Sequence, residues 1–179
     1  DLIKFDGESR NGFRSGVSSQ VQPGAKGNAG GISIVTGSLE LFNGAQLTTS
    51  TYGKGNAGSV EIIATDLVKF DGESKNGFSS GVTSQVQTRA EGNAGGIFIN
   101  TNFLEVLNSA QITASTFGKG DAGSVEISSK TFEANNGGTI NNRTSTQFPA
   151  GNIILNVTDN ITLAGLDTGI FANTTEGST

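Results

Sequence analysis

The chain repeats itself, and this repeat limits the folds open to it more than any other property. Residues 1–65 align with residues 66–130 without a gap, and 44 of the 65 positions are identical. Asp1-Leu2-Ile3-Lys4-Phe5-Asp6-Gly7-Glu8-Ser9 returns as Asp66-Leu67-Val68-Lys69-Phe70-Asp71-Gly72-Glu73-Ser74. A shorter unit lies inside the long one. Gly27-Asn28-Ala29-Gly30-Gly31-Ile32 recurs at 55–60, at 92–97 and, with Asp for Asn, at 120–125; a weakened copy is Pro149-Ala150-Gly151-Asn152-Ile153. Its fourth residue supplies the anchors Gly30, Gly58, Gly95, Gly123 and Gly151, spaced by 28, 37, 28 and 28 residues. Periods of this size mark solenoids, because one unit cannot bury its apolar face alone and must stack on its neighbours.

Between anchors the pattern is that of strands and tight turns. Ile32, Val60, Ile97, Val125 and Ile153 follow the anchors by two positions, and Ile34, Ile62, Ile99, Ile127 and Leu155 come two further on. Period two with β-branched residues predicts a strand with one buried face. A second strand is expected at 39–42, 67–70 and 104–107, where the inward face is ambiguous. A third is marked by Leu47, Val82, Ile112, Ile140 and Ile170. Asn43-Gly44, Asp71-Gly72 and Asn136-Gly137, with Asn108-Ser109 in the equivalent place, predict turns, since these residues tolerate positive φ. With the anchor glycines they form the expected structural turn positions. Three short strands per rung, stacked like on like, predict an all-β parallel β-helix. Five to six rungs in one segment spanning 1–179 would make a column on the order of 25–30 Å long. An antiparallel sandwich does not require the same residue type at the same rung position.

Composition decides whether such a repeat is ordered and which chemistries it permits. Gly accounts for 27 of the 179 residues and Pro for only 2, without collagen's period, and net charge is −5. Low charge with frequent Val, Ile and Thr describes an ordered β protein, not a disordered one. The absence of Cys and His excludes a disulfide framework, a thiolate zinc site, a Ser-His-Asp triad and an HExxH metalloprotease. A pI near 4.6 argues against a nucleic-acid partner, and no apolar run is long enough to insert in a membrane as a helix. The absence of an initiator Met and of a leader, and the start partway through a rung, predict an internal piece of a longer chain.

The Gly-Asn-Ala-Gly-[Gly/Ser]-[Ile/Val] unit resembles the repeats of filamentous-haemagglutinin-like exoproteins. So do Asn-Gly-Ala-Gln-Leu-Thr at 43–48 and Ser-Thr-Phe-Gly-Lys-Gly-Asp-Ala-Gly-Ser at 115–124. These are the large proteins of two-partner secretion in Gram-negative bacteria, and this flavour looks like the cyanobacterial branch. The resemblance covers essentially the whole chain. It implies a right-handed parallel β-helix, export through an outer-membrane transporter, a secreted or cell-surface location, and roles in adhesion and scaffolding. The family's amino-terminal secretion domain, with its Asn-Pro-Asn-Gly-Leu type signature, does not occur in these residues. A fold of this kind carries its function in whatever sites are grafted onto it.

Few residues stand out as such sites. The 37-residue rungs exceed the 28-residue ones by nine residues. Seven are expected around Glu73-Ser74-Lys75-Asn76-Gly77-Phe78-Ser79 and two near Gln87-Thr88-Arg89; the matching loop one repeat earlier runs from Glu8 to Arg14. Insertions collect on one face of a solenoid, often the binding face. Phe13 and Phe78, with Arg10, Arg14 and Lys75, therefore form the expected contact surface for a glycan or protein receptor; the bland alternative has each Phe covering its own corner. Asp6, Glu8, Asp71 and Glu73 lie beside glycines, but the nonapeptide calcium pattern is missing, so turn roles and no metal are expected. Thr48, Thr51, Thr83, Thr113 and Thr116 are broken as an ice-binding array by Val86 and Asn141. Asn142-Arg143-Thr144 and Asn173-Thr174-Thr175 match the glycosylation pattern at a frequency chance supplies. Glu40, Glu105 and Glu133 recur as a column, which suits solvent-facing strand positions. No clustered carboxylates of the lyase or glycosidase kind appear. The expectation is a non-enzymatic structural and adhesive segment without cofactor, stacking on further rungs of its parent or on copies head to tail. The alternatives are a carbohydrate-active β-helix (a polysaccharide lyase or tail-spike depolymerase) and a self-assembling filament subunit.

Overall fold

The computed structural model describes all residues except Glu8, Arg10, Thr146 and 176–179, and every regular element among them is a strand. The first turn of the column contributes β1 (Leu2–Asp6) and β2 (Gly16–Val21). Next come β3 (Ile32–Phe42) with β4 (Gln46–Thr51), and β5 (Val60–Asp71) with β6 (Gly81–Val86). The fourth turn holds β7 (Ile97–Asn100), β8 (Phe103–Leu107) and β9 (Gln111–Thr116). Then follow β10 (Val125–Asn135) with β11 (Thr139–Thr144), and β12 (Ile153–Ala164) with β13 (Gly169–Thr174). One sheet runs β1-β3-β5-β7-β10-β12, with β8 between β5 and β10, and the other runs β2-β4-β6-β9-β11-β13. All these pairings are parallel, as the repeat requires. The chain is a parallel β-solenoid of about five turns.

Only the fourth turn keeps three separate strands. Elsewhere the first two segments run together as one strand of 11 or 12 residues, bent at a register shift, as between Thr36 and Ser38. A threonine hydroxyl braces the bend: Thr36 Oγ1 donates to the carbonyls of Asp1 and Ser38, and its repeat equivalent Thr101 donates to those of Asp66 and Phe103. The register also relocates one of the nine inserted residues. Leu39 pairs Val68, Gln46 pairs Gly81 and Lys54 pairs Glu91, so one extra residue lies in the bend, six in the following loop and two near Arg89.

The core settles the facing that the alternation left open. Leu39, Leu41, Val68, Phe70, Leu104, Val106, Phe132 and Ala134 point inward and are essentially inaccessible. In two rungs the volumes compensate: Phe70 shares its turn with Val68, and Phe132 with Ala134. Across from them Leu47, Val82, Ile112 and Ile140 close the other wall. Thr51 and Thr116 also lie inside, in the Val21, Thr51, Val86, Thr116, Thr144 column. Thr113 is buried as well, so three of the five threonines considered as a surface array are not surface residues.

The corners show two different uses of glycine. Asn43-Gly44, Asn108-Ser109 and Asn136-Gly137 are turns with both residues at positive φ, as their sequence predicts. Asp71 does not follow: only Gly72 is left-handed, because Asp71 still ends β5 and the chain leaves into the inserted loop. The anchor glycines are not left-handed. A Cβ on Gly58, Gly95, Gly123 or Gly151 would sit 2.0–2.2 Å from the carbonyl oxygen of the anchor one turn earlier. They are glycines because the backbones stack there with no room for a side chain. Beside them Asn28, Asn56 and Asn93 form a ladder, each Oδ1 accepting the N–H of the residue one turn on, ending at Asp121.

Candidate functional site

The inserted loop of the third turn is a small hairpin. Ser80 N–H donates to the Gly72 carbonyl and Ser74 N–H to that of Phe78, with Gly77 at φ 77° closing the tip. The buried Ser74 hydroxyl accepts from the N–H groups of Asn76 and Phe78. The hairpin leans back over the Asn43-Gly44 corner of the turn before it, where a Cβ on Gly44 would lie 2.6 Å from Ser74 Cβ. Ser80 Oγ fastens it there, accepting from Gly44 N–H and donating to the Asp71 carbonyl.

The two inserted loops meet across that corner. Arg14, from the first loop, lays its guanidinium 4.4 Å from the centre of the Phe78 ring and donates to Gln46 Oε1. Gln46 Nε2 in turn donates to the Ser79 carbonyl at 2.7 Å. A cation over an exposed aromatic face is worth about 0.5–1 kcal/mol, so this clasp orders the loops more than it stabilises the fold. Of the expected contact surface, Arg14 and Phe78 are thus joined. Phe13, 76% exposed, and Lys75 stand in solvent, and Phe13 does not fold over its own corner. Arg10 and Glu8 lie outside the described residues.

The carboxylates beside the glycines serve the stack. Asp6 Oδ1 accepts from Asn43 Nδ2 and Asp71 Oδ1 from Asn108 Nδ2, both at 2.8 Å, so each Asp bonds the Asn of the next turn and not its own backbone. Among the described residues no three His, Cys, Asp or Glu side chains gather as a metal site. The Glu40, Glu105, Glu133 column proves to be interleaved with lysines, running Lys4, Glu40, Lys69, Glu105, Glu133. Lys69 Nζ lies 2.9 Å from Glu105 Oε2, and this hydrogen bond raises the Lys69 pKa above its usual value against the opposing effect of burial. On the other corner Lys54 bonds Glu91 at 2.9 Å and lowers its pKa, with Lys119 adding to the effect. Asn142, in one of the glycosylation patterns, is fully buried and holds the Gly123 carbonyl and the Gly151 N–H.

Two clefts flank the hairpin. One, of about 630 Å³, lies between the two loops and includes Ser9, Asn43 and Lys75. The other, of about 620 Å³, lies on the far side, floored by Gln111, Thr139 and Asn141 and bounded by Glu73 and the Leu166-Asp167 turn. None of its floor residues was an expected site; Asn141 entered only as a break in the threonine columns. The available signal was positional: Gln46 and Gln111 both follow the corner turn by the same spacing, and Asn141 replaces Thr in the outward column of Thr48, Thr83 and Thr113. No family model, curated protein or solved structure matches this chain.

Proposed function

We propose that the chain is a non-enzymatic structural and adhesive segment of a secreted bacterial surface protein, a stiff column that displays loops for attachment. One observation carries this reading. The stack is continuous: parallel pairing runs through every turn, a core is packed along it and an Asn ladder joins residues 28 to 121, while the two inserted loops clasp each other on one side without disturbing it. Such a body keeps its length under load and holds its loops in fixed register. Further rungs of a longer parent, or a second copy, are the partners its ends suit, and a glycan or protein receptor suits its loops.

The test compares beads coated with the chain against beads carrying a variant whose residues 72–80 are replaced by the Asn-Gly-Ala corner of the shorter turns. That corner already occupies the equivalent place at 43–45, so the column is retained. Adhesion to bacterial cells or extracellular matrix that falls with the variant supports the proposal. Coated beads that adhere no better than bare ones overturn it, as does release of reducing ends from a polysaccharide, which would make the chain carbohydrate-active.

A further inference from the structure

The cleft between the hairpin and the Leu166-Asp167 turn gathers several polar side chains that have no protein partner among the described residues. Several amides elsewhere are bonded to neighbouring groups: Gln46 to Arg14 and to the Ser79 carbonyl, Gln85 to Gln87, and Asn43 to Asp6. Gln111, the repeat equivalent of Gln46, has no side-chain partner among the described residues. Glu73, Ser79, Ser109 and Asp167 around it have none either, and Asn141 uses only its Nδ2, on Thr139. At about 620 Å³ the cleft falls within the roughly 300–1,000 Å³ of small-ligand sites.

We infer that this cleft binds a segment of neutral oligosaccharide. The chemistry of the lining narrows the ligand. Among the described residues its only charged lining groups are two carboxylates, Glu73 and Asp167, with no Lys or Arg, so sulfated, phosphorylated and uronate chains are repelled. An apolar ligand would leave the carboxylates, amides and hydroxyls desolvated and unpaired, which is costly. A peptide strand needs a free sheet edge, but the floor is the outward face of β9 and β11, whose backbone groups are bonded along the stack. A polyhydroxylated neutral chain matches this lining: amides present donor and acceptor together, carboxylates accept from hydroxyls, and the 87% exposed Leu166 offers an apolar wall for a sugar's C–H face. This inference rests on the adhesive reading and identifies one ligand class for it.

The experiment is saturation-transfer NMR and titration of the purified chain with neutral gluco-, manno-, galacto- and xylo-oligosaccharides, alongside oligogalacturonate and chitosan oligomers. The expected result is binding of a neutral series only. Gln111→Ala and Asn141→Ala each weaken it about two- to tenfold, the span of one hydrogen bond, Glu73→Leu weakens it likewise, and Lys54→Ala on the other corner leaves it unchanged. Unaltered circular dichroism of each variant separates loss of binding from loss of fold. The inference is overturned if no neutral oligosaccharide binds at millimolar concentration, if only the anionic or the amino oligomers bind, or if the cleft variants bind as the parent does. Bead adhesion that persists in those variants would leave the adhesive reading standing while the cleft assignment falls; oligosaccharide binding without any adhesion would separate them the other way.

Discussion

Replacing Gly95 by Ala tests the stacking of the anchor glycines directly. A Cβ there would lie 2.2 Å from the Gly58 carbonyl oxygen and 2.7 Å from the Ser59 nitrogen, where real Cβ contacts stay beyond 3.0 Å. Both neighbours are backbone, so relief requires the third and fourth turns to part by about 0.8 Å. The bonds that join them at this corner, Ala57 N–H to Asn93 O and Val60 N–H to Gly96 O, are 3.0 and 2.9 Å long. Such an opening takes both past the about 3.2 Å limit of a good N–H···O bond. Each buried group left unpaired costs about 1–3 kcal/mol, while the stiffer unfolded chain returns about 0.4–1 kcal/mol. The net loss is about 2–4 kcal/mol, or roughly 5–15 °C in apparent melting temperature for a chain of this size. Gly30 is the control, since it holds the same repeat position but its Cβ would meet only Ser19 Oγ, at 3.4 Å. Gly30→Ala is therefore neutral or stabilising by up to about 1 kcal/mol. Urea unfolding followed by far-ultraviolet circular dichroism measures both. If Gly95→Ala unfolds with the parent, or if Gly30→Ala falls as far as Gly95→Ala, close backbone approach is not what demands glycine.

Three further outcomes follow from the same structure. Ser109 holds φ 69° where the other corners use Gly44, Gly72 and Gly137, so Ser109→Gly removes left-handed strain and raises the urea midpoint by the equivalent of about 1 kcal/mol. Ser84 Oγ accepts from Gly95 N–H and donates to the Gly58 carbonyl at a fully buried site; Ser84→Ala lowers stability by about 1–3 kcal/mol in the same assay, whereas Ala114→Ser, at the equivalent place one turn on, does not. The ion pairs set the pH response. The raised Lys69 pKa means its contribution is complete below the unfolded value near 10.5 and disappears as pH rises through the higher folded value. The lowered Glu91 pKa means the reverse: its contribution is present above 4.5 and fades as pH falls through the lower folded value. Stability measured against pH should therefore lose its alkaline step in Lys69→Met and part of its acid step in Glu91→Gln; profiles identical to the parent would refute the assignment.

Much of this architecture is legible in the residues alone, because a stacked solenoid writes each turn's environment at a fixed spacing. The inward Ile and Val columns, the Asn-Gly corners and the position of the inserted loops all repeat, and like side chains must stack on like. Local periodicity stops short where one turn's side chains answer another's. Alternation could not say whether Leu39 and Leu41 or Glu40 and Phe42 face inward, since both choices alternate; the bend at Thr36 fixes the phase. Nor could it show that Gly95 is glycine for want of space under Gly58, or that lysines interleave the glutamate column, because those neighbours are 29 to 37 residues away and change spacing with every insertion. The loops show the same division. Their place is written in the 37-residue spacing, yet the union of Arg14 with Phe78, the exposure of Phe13 and the uncommitted Gln111 arise only when turns of unequal length are stacked and their side chains compete for the same partners.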